Sequence, residues 1–590
     1  MSGFRRSWGA EPAGAGRWEF RIWAPSCPKM GLLLGAESHQ MEKDEEGWFR
    51  AELAADPGAE YYFTPPDGPH VPDPAARAQA GDVHGASVLV DPDAFDWRTS
   101  WQGRPWHETV LYELHVGAFS PEGTFDGVKA RLDHLADLGV TAIELCPIAQ
   151  FAGMRGWGYD GVLLYAPHIA YGGPEGLKRL IDAAHARGLM VFLDVVYNHF
   201  GPDGNYLGLY APEFFHPERH TPWGGAIAYE LDPVRRFFIE NALFWLDEYR
   251  FDGLRLDAVD QIDDQSEEPI LIEIAEAVRA HDFGRPVHLT TEDDRNITRL
   301  IDRDSDGTVR AYDAEWNDDW HHTAHVLATG ESEGYYIDFG DDPAGCMAKA
   351  LGTGFVQQGG PSPFRRGASR GQPSGHLPPT AFINFLQNHD QIGNRAFGER
   401  ISTLADPRAV EVLTALLLLS PQVPLLFMGE EWGETRPFLF FTDFHGELAD
   451  VVREGRRREF SHWSSFVDPV AREKIADPND PETLATSRLD WTAREREPGR
   501  ARLSLIQRLL AIRAQEIMPL LDGITGNSGQ AERRGERGVL ASWRMGDGAQ
   551  LRCVANLGSA GGEMQLSGRE IFRLGNPEHA WAIRVTLDSP

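Results

Sequence analysis

Arg255 and Asp257 stand two positions apart inside an apolar run, Phe251-Asp252-Gly253-Leu254-Arg255-Leu256-Asp257-Ala258-Val259. Its length and bounding residues are those of a buried strand. Side chains at i and i+2 share one face of a strand, so a cation and an anion project together while Leu254 and Leu256 face the other way. Buried ions are paired or have a task. Taken alone, the pair reads equally as a structural ion pair at a strand end or as part of a reactive site. Two further acids tip the balance: Glu292 ends the run Pro286-Val287-His288-Leu289-Thr290-Thr291-Glu292, and Asp390 follows another apolar run in Asn388-His389-Asp390. Glycoside hydrolysis needs such a set, with one ionised carboxylate to attack the anomeric carbon and one protonated carboxyl to donate to the leaving oxygen. Arg255 beside Asp257 favours an ionised carboxylate there, whereas Asp293 and Asp294 crowd Glu292 with like charge and favour its protonated form. Asp293 or Asp294 serves equally well as a helix N-cap before Ile297-Thr298-Arg299-Leu300.

These acids converge only if the strands that carry them are neighbours. Apolar strand patterns recur at 109–115, 141–145, 189–196, 251–259, 286–292, 309–313, 381–386 and 423–428. Amphipathic helical spacing over 125–138, 176–187 and 234–249 alternates with the first of them. Eight such units predict an α/β fold, a closed (β/α)8 TIM barrel, with its site at the C-terminal ends of the strands. Pro424 weakens the case for the eighth strand. Asp194 ends the third, and the odd offset to His199 puts that histidine on the loop above. Asp194 is placed to pair with Arg255 across neighbouring strands. His199 and His389 then become neutral donors to sugar hydroxyls. A lone histidine is usually structural, but two beside strand ends shift the balance.

Short alternating strands separated by Gly, Pro and Asp clusters predict a β-sandwich over residues 1–97, which binds carbohydrate or merely braces the barrel at 98–525. The runs at 538–543, 551–557 and 582–587 predict a second β-sandwich over 526–590, and 503–513 an amphipathic helix before it. Neither terminal region shows a catalytic pattern. The chain of 590 residues carries a net charge of −33, which repels nucleic acid and anionic membranes and favours a neutral substrate. Its 4 cysteines have no metal-ligand spacing and fit reduced thiols in a cytoplasm. No apolar stretch comes after the arginines near the N-terminus, as a signal peptide requires. The most apolar segment, 412–428, is broken by Pro421 and Pro424, so no membrane span is expected.

Taken together, Asp194-Val195-Val196-Tyr197-Asn198-His199, Gly253-Leu254-Arg255-Leu256-Asp257, Glu292 and Asn388-His389-Asp390 resemble, in order and placement, the motifs of the α-amylase superfamily, glycoside hydrolase family 13. The resemblance implies a nucleophile at Asp257, a general acid/base at Glu292 and a third carboxylate at Asp390 that binds ring hydroxyls. It also implies a hydrogen-bonding shell of Arg255, His199 and His389, and a sugar-stacking aromatic at Tyr159 in Gly156-Trp157-Gly158-Tyr159-Asp160. The stretch 156–207 is similar both to glycogen branching enzymes and to superfamily hydrolases that cleave the α-1,4 bond beside a terminal trehalose unit. The stretches 385–395 and 312–322 resemble the latter. That likeness implies a maltooligosyltrehalose substrate and a maltooligosyltrehalose synthase as pathway partner. On this view Trp316, Trp320, His321 and His322 hold the trehalose end. In the loop 357–379, Phe364, Arg365 and Arg366 either border the cleft or are disordered at the surface. The loop at 200–231 is short for the calcium-stabilised insert of many α-amylases, so no metal is expected at Asn198 and no cofactor elsewhere. A branching transferase, or a non-catalytic glycan-binding protein on the same scaffold, is the alternative.

Overall fold

The computed structural model describes residues 5–66, 68–558, 565–576 and 579–590. Eight short parallel strands close a barrel: β1 Leu111–Leu114, β2 Ala142–Leu145, β3 Met190–Val195, β4 Gly253–Leu256, β5 His288–Thr291, β6 Ala314–Trp316, β7 Phe382–Phe385 and β8 Val423–Phe427. β8 pairs back onto β1. Pro424 sits within β8 opposite Asn384, at the cost of one donor to the ladder. Helices Gly173–His185 (α1) and Asp232–Asp247 (α2) lie where the amphipathic spacing put them. The helix expected over 125–138 is two, Phe125–Lys129 and Leu132–Leu138.

The sixth strand is a correction. The run at 309–313 is β-like in composition, yet Val309 makes only an isolated bridge to Arg303, and the barrel strand is Ala314–Trp316. Asp313 explains the offset. Its carboxylate takes Arg279 Nη2 at 2.6 Å and the Leu289 N–H at 2.8 Å, so this acid closes the base of β5 and the strand can begin only after it.

Alternation sorts the barrel interior into layers. Leu111, Ala142, Met190, Phe192, Ala314, Ile383 and Val423 form an apolar cluster together with Trp316, Phe385 and Leu425. Two residues further along their strands from Leu111, Ala142 and Phe192 come Glu113, Glu144 and Asp194, all buried. Arg255 on β4 is in register with Asp194. An apolar floor therefore carries a charged layer toward the C-terminal rim.

Before the barrel, two four-stranded antiparallel sheets form the expected sandwich, ordered Gly9–Gly14, Arg17–Trp23, Trp48–Ala54, Glu42–Lys43 and Glu37–Gln40, Gly31–Leu34, Glu60–Thr64, Ser87–Val88. It braces the barrel: Trp8 Nε1 donates to the Pro233 carbonyl at 2.9 Å, and Arg77 Nε reaches Glu248 at 3.0 Å. In the C-terminal region the described residues form one five-stranded antiparallel sheet. Its second layer is helical, from Pro343–Thr353 and Pro407–Leu419. No helix among the described residues is long and apolar enough to cross a membrane.

Gly253 in β4 is fixed by this packing, because a Cβ there would lie 2.2 Å from the Phe192 ring and 2.8 Å from the His288 carbonyl. Gly253→Ala is expected to destabilise the protein by about 2–4 kcal/mol through overpacking. A thermal melting midpoint equal to that of the wild type would contradict this account of the barrel floor.

Candidate active site

Arg255 is fully buried, and its guanidinium joins three strands. Nη1 donates to Asp194 Oδ2 on β3 at 2.6 Å and to Asp257 Oδ1 just beyond β4 at 2.8 Å, while Nη2 donates to Glu292 Oε2 just beyond β5 at 2.5 Å. Its Cζ lies 4.2 Å from the centroid of the Trp316 ring. Side-chain exposure rises outward, from 0 % for Arg255 to 11 % for Asp257, 20 % for Glu292 and 32 % for Asp390, so the cation is interior and the acids open progressively toward the rim. Burying a lone guanidinium costs several kcal/mol, which three carboxylates and a π-face offset.

Backbone geometry places the two acids nearest Arg255. Ala258 adopts φ 39°, a left-handed conformation that turns the chain directly after Asp257. Its N–H then donates to Glu292 Oε2 at 3.0 Å. Asn198 Nδ2 holds Asp257 from the other side, at 2.9 Å from its carbonyl and 3.0 Å from Oδ2. Burial pushes the Glu292 carboxyl above the usual range; Arg255 opposes this and Asp257 adds to it. The direction is the expected one but the cause is not. Asp293 is taken by Arg295 Nε and Nη2 at 2.8 and 2.6 Å, and Asp294 pairs with Arg365 and Arg370, so neither crowds Glu292 with free charge. Asp293 Oδ1 also accepts from the Arg295 N–H at 2.9 Å, capping a turn after which no helix begins. Asp194 is pushed up to about 7 by burial, against the pull of Arg255.

Asp390 lies in the first turn of a short helix capped by Asn388, whose side chain accepts from the Gln391 N–H. His389 Nε2 is 3.5 Å from Asp390 Oδ1, and Glu113 on β1 accepts from both His389 Nδ1 and its N–H. Burial pushes the His389 imidazole down, but the charges of Asp390 and Glu113 outweigh it and raise the group to about 9. His389 is therefore an imidazolium at neutral pH and not the neutral donor expected. The Tyr159 ring stacks on it at 5.0 Å, and Tyr159 Oη donates to Asp194 Oδ2 at 2.6 Å. His199 is neutral, with burial pushing it down to about 4. Its ring nitrogens face Asn198 Oδ1 and the Tyr159 carbonyl, so neither is turned toward a sugar.

Four residues expected at the trehalose end lie elsewhere. Trp316 ends β6 and is buried under Arg255; the one-element slip of that strand moves it from loop to barrel interior. Trp320, His321 and His322 belong to the helix Asp318–Thr329 (α3), where they are buried, and His321 Nδ1 lies 2.7 Å from the Leu386 carbonyl. The 357–379 loop contains a short hairpin. Gly360–Pro361 pairs with Ser369–Arg370, and Arg365 at its turn reaches Asp294, two residues beyond Glu292. Phe364 is 53 % exposed. Sequence reasoning missed Asn198, Glu113 and Trp223. Trp223 is 48 % exposed and stacks on His199 at 4.4 Å. Glu113 had a signal, an acid within the buried run of β1, the same anomaly that exposes Arg255 and Asp257 in β4. Glu113, Cys146 and His389 place one ligand atom each within 4.8 Å of one another. The Glu113–His389 ion pair accounts for two of the three.

Comparison with known proteins bears on family and fold. Residues 79–208 match the family described as "Alpha amylase, catalytic domain", and residues 526–583 a "Domain of unknown function (DUF3459)". The chain is 41 % identical to a malto-oligosyltrehalose trehalohydrolase of Deinococcus radiodurans over 92 % of this chain and 90 % of that one. A crystal structure titled as a putative alpha amylase from Salmonella typhimurium superimposes with a TM-score of 0.95 at 50 % identity, covering 99 % of this chain and 100 % of that one. A 1,4-alpha-glucan branching enzyme of Pseudoalteromonas atlantica is 32 % identical, but over only 41 % of this chain and 37 % of that one.

The Glu113–His389 pair yields a titration prediction. Stability from protonated His389 is complete below its ordinary pKa of about 6.5 and is lost as pH rises through about 9. In Glu113→Gln the His389 titration, read by NMR, should move down from about 9 toward the ordinary histidine value. An unmoved midpoint would show that Asp390 alone sets it.

Proposed function

Because the chain belongs to the malto-oligosyltrehalose trehalohydrolases of the α-amylase superfamily, we propose that it hydrolyses the α-1,4 bond beside the terminal trehalose unit of a maltooligosyltrehalose. The products are trehalose and a maltooligosaccharide. The observation that carries the chemistry is the single guanidinium of Arg255 bound to both Asp257 and Glu292, at 2.8 and 2.5 Å. A retaining pair stands about 5–5.5 Å apart, closer than an inverting pair, which must leave room for a water, and one guanidinium holding both acids is compatible with the retaining separation.

In this mechanism Asp257 attacks the anomeric carbon and forms a covalent glycosyl ester. Glu292, shifted toward its protonated form by burial and by the charge of Asp257, gives its proton to the departing O4 of trehalose. The carboxylate thus formed takes a proton from water, whose oxygen attacks the ester, freeing Asp257 and restoring Glu292. Asp390, beside the His389 imidazolium, binds ring hydroxyls of the glucosyl unit. Arg255 holds Asp257 in place and offsets its charge, Asn198 orients it, and Asp194 anchors both Arg255 and Tyr159.

A trehalose-ended substrate requires a preceding reaction that converts the reducing end of a maltooligosaccharide to trehalose, so a maltooligosyltrehalose synthase is the proposed pathway partner. The 4 cysteines are free thiols, which suits a cytoplasmic setting. A branching transferase uses the same acids with a sugar hydroxyl as acceptor, and the match to such an enzyme covers only 41 % of the chain. A purely glycan-binding scaffold would have one of the acids replaced, and Asp257, Glu292 and Asp390 are all present in this chain.

Product analysis separates these readings. Maltooligosyltrehalose should give free trehalose and a maltooligosaccharide whose new reducing end is initially the α anomer, while amylose gains no α-1,6 branches. Asp257→Asn should lower kcat on the order of 10³-fold or more with the fold intact. A β product, or near-normal turnover in that variant, would refute the retaining assignment.

A further inference from the structure

One carboxyl at the rim has no task in the mechanism above. Asp318 is the first residue of α3, two positions past Trp316, the aromatic beneath Arg255. Its neighbour Asp319 is fully buried and consumed by structure: Arg370 Nη1 at 2.9 Å, Asn296 Nδ2 at 2.8 Å and the N–H groups of Val356 and Gln357 at 2.8 and 2.7 Å. Asp318 is partly exposed instead. Its Oδ1 accepts from Gln391 Nε2 at 3.1 Å, and Gln391 adjoins Asp390. Around the rim the order β4, β5, β6, β7 places Asp318 between Glu292 and Asp390, on the far side of Glu292 from Asp257. In a retaining cleavage the acid stands beside the leaving oxygen, across the sugar from the nucleophile. A polar group on that side of the acid is placed where the departing sugar can meet it.

We propose that Asp318 is a specificity-determining residue that hydrogen-bonds hydroxyls of the departing trehalose unit, with Gln391 fixing the direction of its carboxyl. This rests on the trehalose-releasing function proposed above and deepens it. Burial pushes the Asp318 carboxyl well above the usual range, and the charges of Glu292 and Asp390 add to this against the pull of Arg370. In the protonated form that this shift favours, the carboxyl offers one donor and spare acceptor capacity, the match for a sugar hydroxyl, which both gives and takes a hydrogen bond. It also adds no second negative charge beside the acid that must hold its proton. A site built to bond a hydroxyl discriminates against a substrate that lacks it, because the polar group of the site then loses its partner. The competing role for an acid at this position is to offset the positive end of α3, which stabilises the helix without touching substrate.

The test uses the full chain as wild type, Asp318→Asn and Asp318→Ala. It reads inhibition by free trehalose, and the ratio of kcat/KM for a trehalose-ended substrate to that for a plain maltooligosaccharide. In Asp318→Ala the inhibition constant for trehalose should rise about tenfold or more, and the ratio fall by a similar factor. Asp318→Asn keeps the shape and both bonding capacities, so it should retain most of the discrimination. Being nearly isosteric, it also carries the test should the alanine variant fail to fold; in that case an unchanged ratio supports the proposal only if Asp318→Leu, of similar size and apolar, loses it. A lowered melting midpoint with trehalose inhibition within about twofold of wild type would assign Asp318 to the helix alone and overturn the proposal. A wild-type protein that releases no trehalose would overturn the functional reading itself.

Discussion

The structure depends on one buried cation. Arg255 has no exposure to solvent, and a guanidinium in that position is tolerable only if anions meet it from several directions. Its partners are carboxyl groups from three consecutive strands, Asp194, Asp257 and Glu292, and an indole face closes the remaining side. Electrostatic satisfaction of Arg255 and assembly of the catalytic acids are thus the same event. The barrel cannot close with its cation paired unless the two proposed reacting carboxylates are brought together at the rim.

The partners surrounding these acids keep them apart in character. Glu292 is raised chiefly by burial and secondarily by the charge of Asp257, whereas the nearby Asp293 and Asp294 have arginine partners that remove them from its field. Asp294 has a further consequence, since Arg365 and Arg370 belong to the 357–379 hairpin. The pairing latches that hairpin to the segment just after Glu292. On the opposite wall, the charges of Asp390 and Glu113 together keep His389 protonated, and Tyr159 spans the gap by stacking on His389 while bonding Asp194. Buried networks of this kind are costly when incomplete, which gives each member a structural reason to be present beyond any contact with substrate.

Much of this was legible in the chain. The alternation around Arg255 and Asp257 assigned their common face, apolar runs located seven of the eight strands to within a few residues, and the Asp194–Arg255 pairing came from adjacent strand ends. The sixth strand was misplaced because Asp313, an acid in a β-like run, is spent on Arg279 and the Leu289 N–H below the barrel. That local slip carried Trp316 from loop to interior and removed Trp320, His321 and His322 from the cleft. His389 was expected to be neutral although Asp390 adjoins it, because its second charged partner, Glu113, lies 276 positions away in the chain.

The amino-acid sequence by itself determined the set of chemical groups and the side of each strand on which they stand, because side-chain alternation is a local property with a period of two. Only the tertiary structure decided which groups meet. Arg255 reaches Asp194 across 61 positions and Glu292 across 37, through neighbour relations set by barrel closure and stagger. Proton affinities result from those meetings and from burial, so the contrast between a charged His389 and a neutral His199 arises only once the barrel is closed.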